Sequence, residues 1–247
     1  MAKPPSPKAQ KHAQRWQRLR QFDTDKLADV VGHIGQPLKG VIGVDEVGRG
    51  SLVGPVVAAA VCLPHTLCAT EHDWLLAIDD SKASHLNRAK RLRLKDAIQA
   101  HGLWGLGQAS VEEIAHLNIV NASLLAGHRA LAALAQQFDC DLTHYLTLMD
   151  GRHRIPQHNA PQLSQIKGDA HSAAIAAASI VAKAERDAMI DTAALQYPGY
   201  GWEQNAGYPT PAHQKAIAQL GVTPMHRHSY KTVQAACQAE AVQQTLS

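Results

Sequence analysis

Asp45 and Glu46 stand side by side at the end of an apolar run and lead into Val47-Gly48-Arg49-Gly50, with Gly54-Pro55 following. In a regular strand neighbouring side chains point to opposite faces, so two adjacent carboxylates are expected to share a site only where the strand ends or bends. Gly48 and Gly50 let backbone amides approach a ligand closely, and Arg49 adds a fork of donors suited to phosphate. Carboxylates beside a phosphate-friendly loop point to divalent-metal chemistry, since Mg²⁺ takes hard oxygen ligands and commonly combines one or two carboxylates with substrate phosphate. A solvated turn is the plainer account of the pair taken alone.

Asp150-Gly151 repeats the arrangement, an acid followed by glycine at the end of a β-like run from His144 to Met149. Asp169, in Ile166-Lys167-Gly168-Asp169, lies at the mouth of a long helix expected from about residue 171 to 196. An N-cap is the competing role for Asp169. Asp187, the rival fourth acid, is eighteen residues further on, roughly 27 Å along a straight helix, and therefore cannot share a site with Asp169. An ion pair is the expectation for Asp187.

Other chemistries fit poorly. A G-x-G-x-x-G fingerprint starting at Gly48 would need a small residue at Val53, and the acidic pair preceding the loop would repel a diphosphate. The chain has no G-x-x-x-x-G-K-[ST] element, and its fifteen histidines show neither H-E-x-x-H nor paired Cys/His spacing. Cys62, Cys68, Cys140 and Cys237 form no C-x-x-C and read as reduced thiols of an intracellular protein.

The elements that must position the acids follow from periodicity. Gly40 to Val47 and Val53 to Leu63 read as strands that could form a hairpin, and Leu103 to Val111 as a third strand. Asn87 to His101 has a basic amphipathic pattern, and Asn121 to Phe138 is a helix rich in leucine and alanine. Ala173, Ala174, Ala176, Ala177 and Ala178 permit the long helix to pack closely on a sheet. Strands interleaved with helices argue for an α/β fold. The 247 residues carry 24 basic and 21 acidic side chains, a balance that permits a nucleic-acid partner without requiring one. Positive charge gathers at Lys3, Lys8, Lys11, Arg15, Arg18 and Arg20, with no acid among the first twenty residues. Residues 1–38 are therefore expected to form a mobile, partly helical extension and 233–247 a helical tail, with 39–232 as the main domain between them. No apolar run approaches a membrane span, so a soluble, cytoplasmic protein is expected. Tyr197, Tyr200 and Trp202 read as wedges beneath the C-terminal segments, whereas Tyr208, between Gly207 and Pro209, is the better ligand-facing ring. His226-Arg227 could touch phosphate or lie on the surface.

In this order the chain resembles ribonuclease HII, the type 2 ribonuclease H, over about residues 40 to 232. The resemblance rests on 43–50 (GVDEVGRG) with Gly54-Pro55-Val56-Val57, Asp80-Ser81-Lys82, Met149-Asp150-Gly151, Ile166-Lys167-Gly168-Asp169, 176–183 (AAASIVAK), Arg186-Asp187, 207–213 (GYPTPAH) and His226-Arg227. It implies a ribonuclease H-like fold, a central mixed sheet flanked by helices with a helical C-terminal part. It also implies hydrolysis of the RNA strand of RNA/DNA hybrids and incision 5′ to single ribonucleotides in duplex DNA, leaving a 3′-hydroxyl and a 5′-phosphate. By match, Asp45, Glu46, Asp150 and Asp169 would bind two Mg²⁺ or Mn²⁺ ions. Gly48, Arg49 and Gly50 would read the ribose 2′-hydroxyl, Tyr208 would stack on the neighbouring deoxyribose, and Lys82 and Lys183 would contact phosphates. Ala83-Ser84-His85-Leu86, Ser51, Asn205-Ala206 and Tyr230 depart from the usual pattern and bear on substrate grip more than on the metal chemistry. A monomer is expected, and the residues specify no replication-clamp partner.

Overall fold

Alternation along the first two strands sets the architecture, which a computed structural model describes for residues 6–67, 72–78 and 87–245. Strand β1 (Gly40–Val47) sends Ile42 and Val44 to one face and Gly43, Asp45 and Val47 to the other; β2 (Val56–Cys62) is buried along its whole length. With β3 (Leu103–Ala109), β4 (Tyr145–Asp150) and β5 (Gln162–Gln165) they form one mixed sheet in the order β3-β2-β1-β4-β5. The β1–β2 and β2–β3 pairs are antiparallel, and the β1–β4 and β4–β5 pairs are parallel. Fully buried Val and Ala runs are what a sheet covered on both faces demands.

The two covers are α3 (Val111–Phe138) and α4 (Ala173–Gln196), with α2 (Arg88–His101) outside α4. Close approach replaces bulk on both sides. A Cβ on Gly43 would lie 2.1 Å from the Ala174 carbonyl carbon, and one on Gly107 would lie 2.2 Å from the Ala126 oxygen. Alanine-rich helices meeting glycine-bearing strands therefore pack backbone against backbone. Helix α3 is broken at Asn118, whose φ of 66° and side chain, accepting from the Val120 and Asn121 amides, start a second helical segment. That cap explains why the helical pattern is recognisable only from Asn121.

Strand β1 runs to Val47 as expected, since Glu46 and Val47 keep Ala58 and Val57 as partners on β2. Two boundaries differ from the sequence expectation. Strand β2 starts at Val56, since residues 48–55 form a longer turn with positive φ at Gly48 and Gly54. The cap of α4 is Ser172, accepting from the Ile175 amide, while Asp169 sits in a short 3-10 turn at Gly168–Ala170.

Residues 7–34, part of the extension expected to be partly helical and outside the core, form α1 (Pro7–Ile34) and contribute to the core. Trp16 and Leu19 are buried in the same cluster as Ala173 and Ala177 of α4, and Arg20 donates to the carbonyls of Pro64 and His65. Apolar residues at 16, 19, 22, 27 and 30 supplied the helical stripe; the proline and lysine content ahead of it masked the burial. At the other end, α5 (Trp202–Asn205), α6 (Pro211–Leu220) and α7 (Lys231–Thr245) pack around Leu52, Val53, Ile190, Tyr200 and Trp202. Tyr200 and Trp202 are wedges, as their composition suggested. His226 and Arg227 are buried rather than on a surface loop. Among the described residues no helix is long and apolar enough to cross a membrane, and Cys62, Cys140 and Cys237 are free. Cys68 and Asp80-Ser81-Lys82 lie outside the described residues.

Candidate active site

Parallel pairing of β1 with β4 brings two acids together. The register matches Val44 with Met149, so the next residues, Asp45 and Asp150, stand side by side, Asp150 at the end of β4 and Asp45 two residues before the end of β1. Leu146 and Leu148 share the α4 side with Ala174 and Ile175, which places Asp150 on the face that Asp45 occupies. The turn carrying Asp169 closes over the same face, because the Gly168 amide donates to Asp150 Oδ1 at 2.6 Å. Ser179 of α4 hydrogen-bonds to Asp45 from above. Glu46 points to the opposite face, where its Oε1 accepts from Arg49 at 3.1 Å.

Burial raises the pKa of Asp45 well above the usual carboxylate range, and the charges of Glu46, Asp150 and Asp169 push the same way, only partly opposed by Ser179. Glu46 is raised too, by burial first and against the pull of Arg49. Desolvated acids that repel one another favour a bound cation. The donor set of hard carboxylate oxygens fits a divalent ion such as Mg²⁺ or Mn²⁺. Among the described residues no three such side chains converge as a ready ligand cluster. Asp45 Oδ1 accepts from the Glu46 amide, and Asp150 Oδ1 from Gly168. A carboxylate has about four lone-pair sites, so these contacts leave capacity for an ion.

Beside the acids, the glycine turn is held by two buried arginines that the sequence reading did not single out for this role. Arg186 donates to the carbonyls of Pro55, Ala206 and Val53 at 3.0 to 3.2 Å. Arg227 donates to Gly54 and Arg49, and the Tyr230 hydroxyl also donates to the Arg49 carbonyl at 2.6 Å. Burial, and then each other's charge in the case of Arg186, lowers the pKa of both, Arg186 to about 10. Their signal in the sequence was a lone arginine in an alanine-rich helix and another after a histidine. Together they join residues 49–55 to Ala206, two positions before Tyr208. The Arg186 guanidinium lies 6.0 Å from the Tyr208 ring, and a Cβ on Gly50 would touch that ring at 3.7 Å. Arg49 and Gly50 are exposed and Tyr208 is half-buried, so backbone and ring are open to a ligand.

Lys183 is not gathered with these groups. Its ammonium pairs with Asp187, which also accepts from Arg91 at 3.2 Å, in a cleft of about 210 Å³ walled by α2, α4 and α5. Asp187 is thus an ion-pairing residue, as expected. Burial lowers the Lys183 pKa despite that partner.

The strand order and the helices on both faces define the ribonuclease H-like class of α/β folds. Solved structures agree at the level of fold: the PCNA:RNase HII complex from Archaeoglobus fulgidus has a TM-score of 0.60 at 20% identity, covering 79% of this chain and 96% of that one. Bst-RNase HIII in complex with Mn²⁺ has a TM-score of 0.63 at 16% identity, covering 85% and 72%. A profile of the ribonuclease HII family matches residues 42–233. The ribonuclease HII of Ruegeria pomeroyi is 49% identical over 193 residues, 78% of this chain and 76% of that protein, and that of Rhodospirillum rubrum is 48% identical over 204 residues, 82% and 88%. The chain belongs to the ribonuclease HII family and is an endonuclease of the hydrolase class.

Proposed function

We propose that the protein incises duplex nucleic acid on the 5′ side of ribonucleotides, both single ones embedded in DNA and those in RNA/DNA hybrids, leaving a 3′-hydroxyl and a 5′-phosphate. The observation that carries this reading is the pairing of Asp45 and Asp150 on adjacent parallel strands, with the Asp169 turn tied to Asp150, beside an arginine-pinned glycine turn. Asp45, Glu46, Asp150 and Asp169 would hold two divalent ions, Mg²⁺ or Mn²⁺. When bound, such ions activate the attacking water and stabilise the leaving 3′ oxygen.

The remaining work falls to the chain itself. The exposed backbone of Arg49 and Gly50 offers polar groups at a distance that only a residue without a bulky side chain permits, which suits recognition of a 2′-hydroxyl. Tyr208 presents a ring to the neighbouring deoxyribose, and Arg49 a fork to phosphate. Lys82 and Lys183 are assigned to substrate phosphates, Lys183 after exchanging Asp187 for the phosphodiester backbone.

The test is incubation of the protein and Asp45→Asn with duplex DNA holding one ribonucleotide, with and without Mg²⁺ or Mn²⁺, and mapping of the cut. Metal-dependent incision 5′ to the ribonucleotide that is lost in the variant supports the reading. Tight binding without cleavage under either metal would indicate a binding protein instead.

A further inference from the structure

Helix α1 precedes the segment that the family profile matches, which starts at residue 42. Asp23 of this helix nevertheless reaches the start of α4. Its Oδ2 accepts from the Ala174 amide at 3.0 Å, and the residue is only 7% exposed. An anion at a helix N-terminus satisfies free amides and complements the dipole. One residue earlier, the Phe22 ring lies 6.0 Å from that of His171. Trp16 and Leu19, seven and four residues before Asp23 on the same helical face, are buried with Ala173, Ala176 and Ala177. The reach of Asp23 is therefore fixed by packing on both sides of it.

The four residues from His171 to Ala174 follow Asp169 after one intervening residue, Ala170. On the other side of Asp169 the Gly168 amide is tied to Asp150, and the Gly168 carbonyl accepts from both the His171 and the Ser172 amides. Asp169 is thus strung between two anchors, one on β4 and one on α1. Removing the second leaves the Gly168 amide on Asp150 as the turn's anchor on the sheet, beside the turn's own tight hydrogen bonds.

We propose that Asp23 is a positioning residue that, from outside the family segment, fixes the first turn of α4 and so the placement of Asp169. This rests on the proposed role of Asp169. Asp23 touches no substrate in this scheme, so its loss should weaken metal use and leave substrate affinity alone.

The experiment compares the full-length protein with Asp23→Ala and Asp23→Asn, the latter keeping an uncharged acceptor for the Ala174 amide. Three quantities are read: amide hydrogen exchange of residues 168–176 without metal, Mn²⁺ affinity by calorimetry, and the Mn²⁺ concentration that half-saturates incision. In Asp23→Ala exchange of this segment accelerates about tenfold, as expected for a lost hydrogen bond to a charged group, while exchange in β1 is unchanged. Mn²⁺ affinity falls about tenfold, the usual effect of losing a group that orients a ligand, with KM for the duplex unaltered. Asp23→Asn lies close to wild type on all three. If Asp23→Ala lowers the melting temperature but leaves exchange at 168–176 and Mn²⁺ affinity at wild-type values, the residue is only structural and the proposal is overturned. Should Asp23→Ala not fold, Asp23→Glu, with its carboxylate displaced by one methylene, carries the same comparison. Failure of the wild-type protein to incise would remove the nuclease reading, while the exchange and calorimetric data would still decide the role of Asp23.

Discussion

A Cβ on Gly48 would lie 2.1 Å from Arg186 Nε, so the guanidinium fills the space that any side chain at residue 48 would need. The φ of Gly48, 96°, independently excludes ordinary side chains. Glycine at this place is required by the buried arginine as much as by any ligand. Gly48→Ala is expected to fold and to displace Arg186 from its three carbonyls. Strain of this kind costs about 1–3 kcal/mol, and the turn that relaxes is the one assigned to the 2′-hydroxyl. Steady-state kinetics on a duplex with one ribonucleotide should show kcat/KM reduced about 100-fold, in proportion to about 2.7 kcal/mol. Wild-type kcat/KM in Gly48→Ala would mean that the turn accommodates the change without moving.

Arg186 tests the same contact from the other side. Its donors serve carbonyls of Val53, Pro55 and Ala206, and no carboxylate is paired with it among the described ion pairs. Arg186→Met would leave three buried carbonyls without these donors, at about 1–3 kcal/mol each before relaxation. A loss of about 3 kcal/mol in unfolding free energy is expected from urea denaturation. Arg186→Lys should recover only part of it, because one ammonium cannot span carbonyls presented to a planar fork. Equal stability of the Lys variant and wild type would show that charge, and not the fork, is what the turn needs.

Four of the five strands and the two covering helices were legible because their signals are local: apolar runs in β1 and β2, an alanine run in α4, a leucine and alanine pattern in α3; β5, a short and mostly polar strand, carries no such signal. Asp45, Asp150 and Asp169 were legible as candidates because each sits close to a glycine at an element's end. The adjacency of Asp45 and Asp150 depends on β1 pairing in parallel with β4, a contact between residues about a hundred positions apart that no local pattern encodes. Arg186 and Arg227 were obscure for a related reason. A buried arginine is costly unless tertiary carbonyls receive it, and all of those carbonyls but that of Ala206 come from a turn more than 130 residues earlier. Helix α1 was underread because charge and proline near the N-terminus were weighed above the spacing of Trp16, Leu19 and Phe22.

Removing one charge from the acid group should stabilise the metal-free protein. The folded pKa of Asp45 is raised, so its contribution is fully present below the ordinary value of 3.8 and is lost as pH rises through the folded value. At neutral pH the ionised form is therefore a cost, which Asp45→Asn removes while keeping shape. Calorimetry in chelator at pH 7.5 should give the Asp45→Asn variant a melting temperature a few degrees higher, about 2–4 °C per kcal/mol for a chain of this size. Added Mg²⁺ or Mn²⁺ should raise the wild-type value and raise the variant's less, since a ligand stabilises the state that binds it. A variant that melts below wild type in chelator would mean that Asp45 is needed as a hydrogen-bond acceptor more than it is penalised as a charge.

The C-terminal part should give way first in acid, through His226. This ring is buried among Tyr200, Trp202 and His213, its Nδ1 accepts from the Thr223 amide at 2.9 Å, and its Nε2 has no protein partner. Burial, then the nearby His213, lowers its pKa from 6.5 to about 4. The unfolded chain binds this proton as pH falls below 6.5, whereas the folded protein resists it until about 4, so stability declines across that interval. At 1.36 kcal/mol per unit the decline attributable to this ring is about 3 kcal/mol at most. Asp23, raised to about 6 chiefly by burial, pulls oppositely, its protonation favouring the folded form as pH falls. Urea midpoints measured from pH 7 to 4 separate the two: Asp23→Asn should steepen the acid decline, and His226→Asn should flatten it. Parallel curves for His226→Asn and wild type would mean that the folded protein accommodates the charged ring, and that the aromatic cluster around it opens without cost.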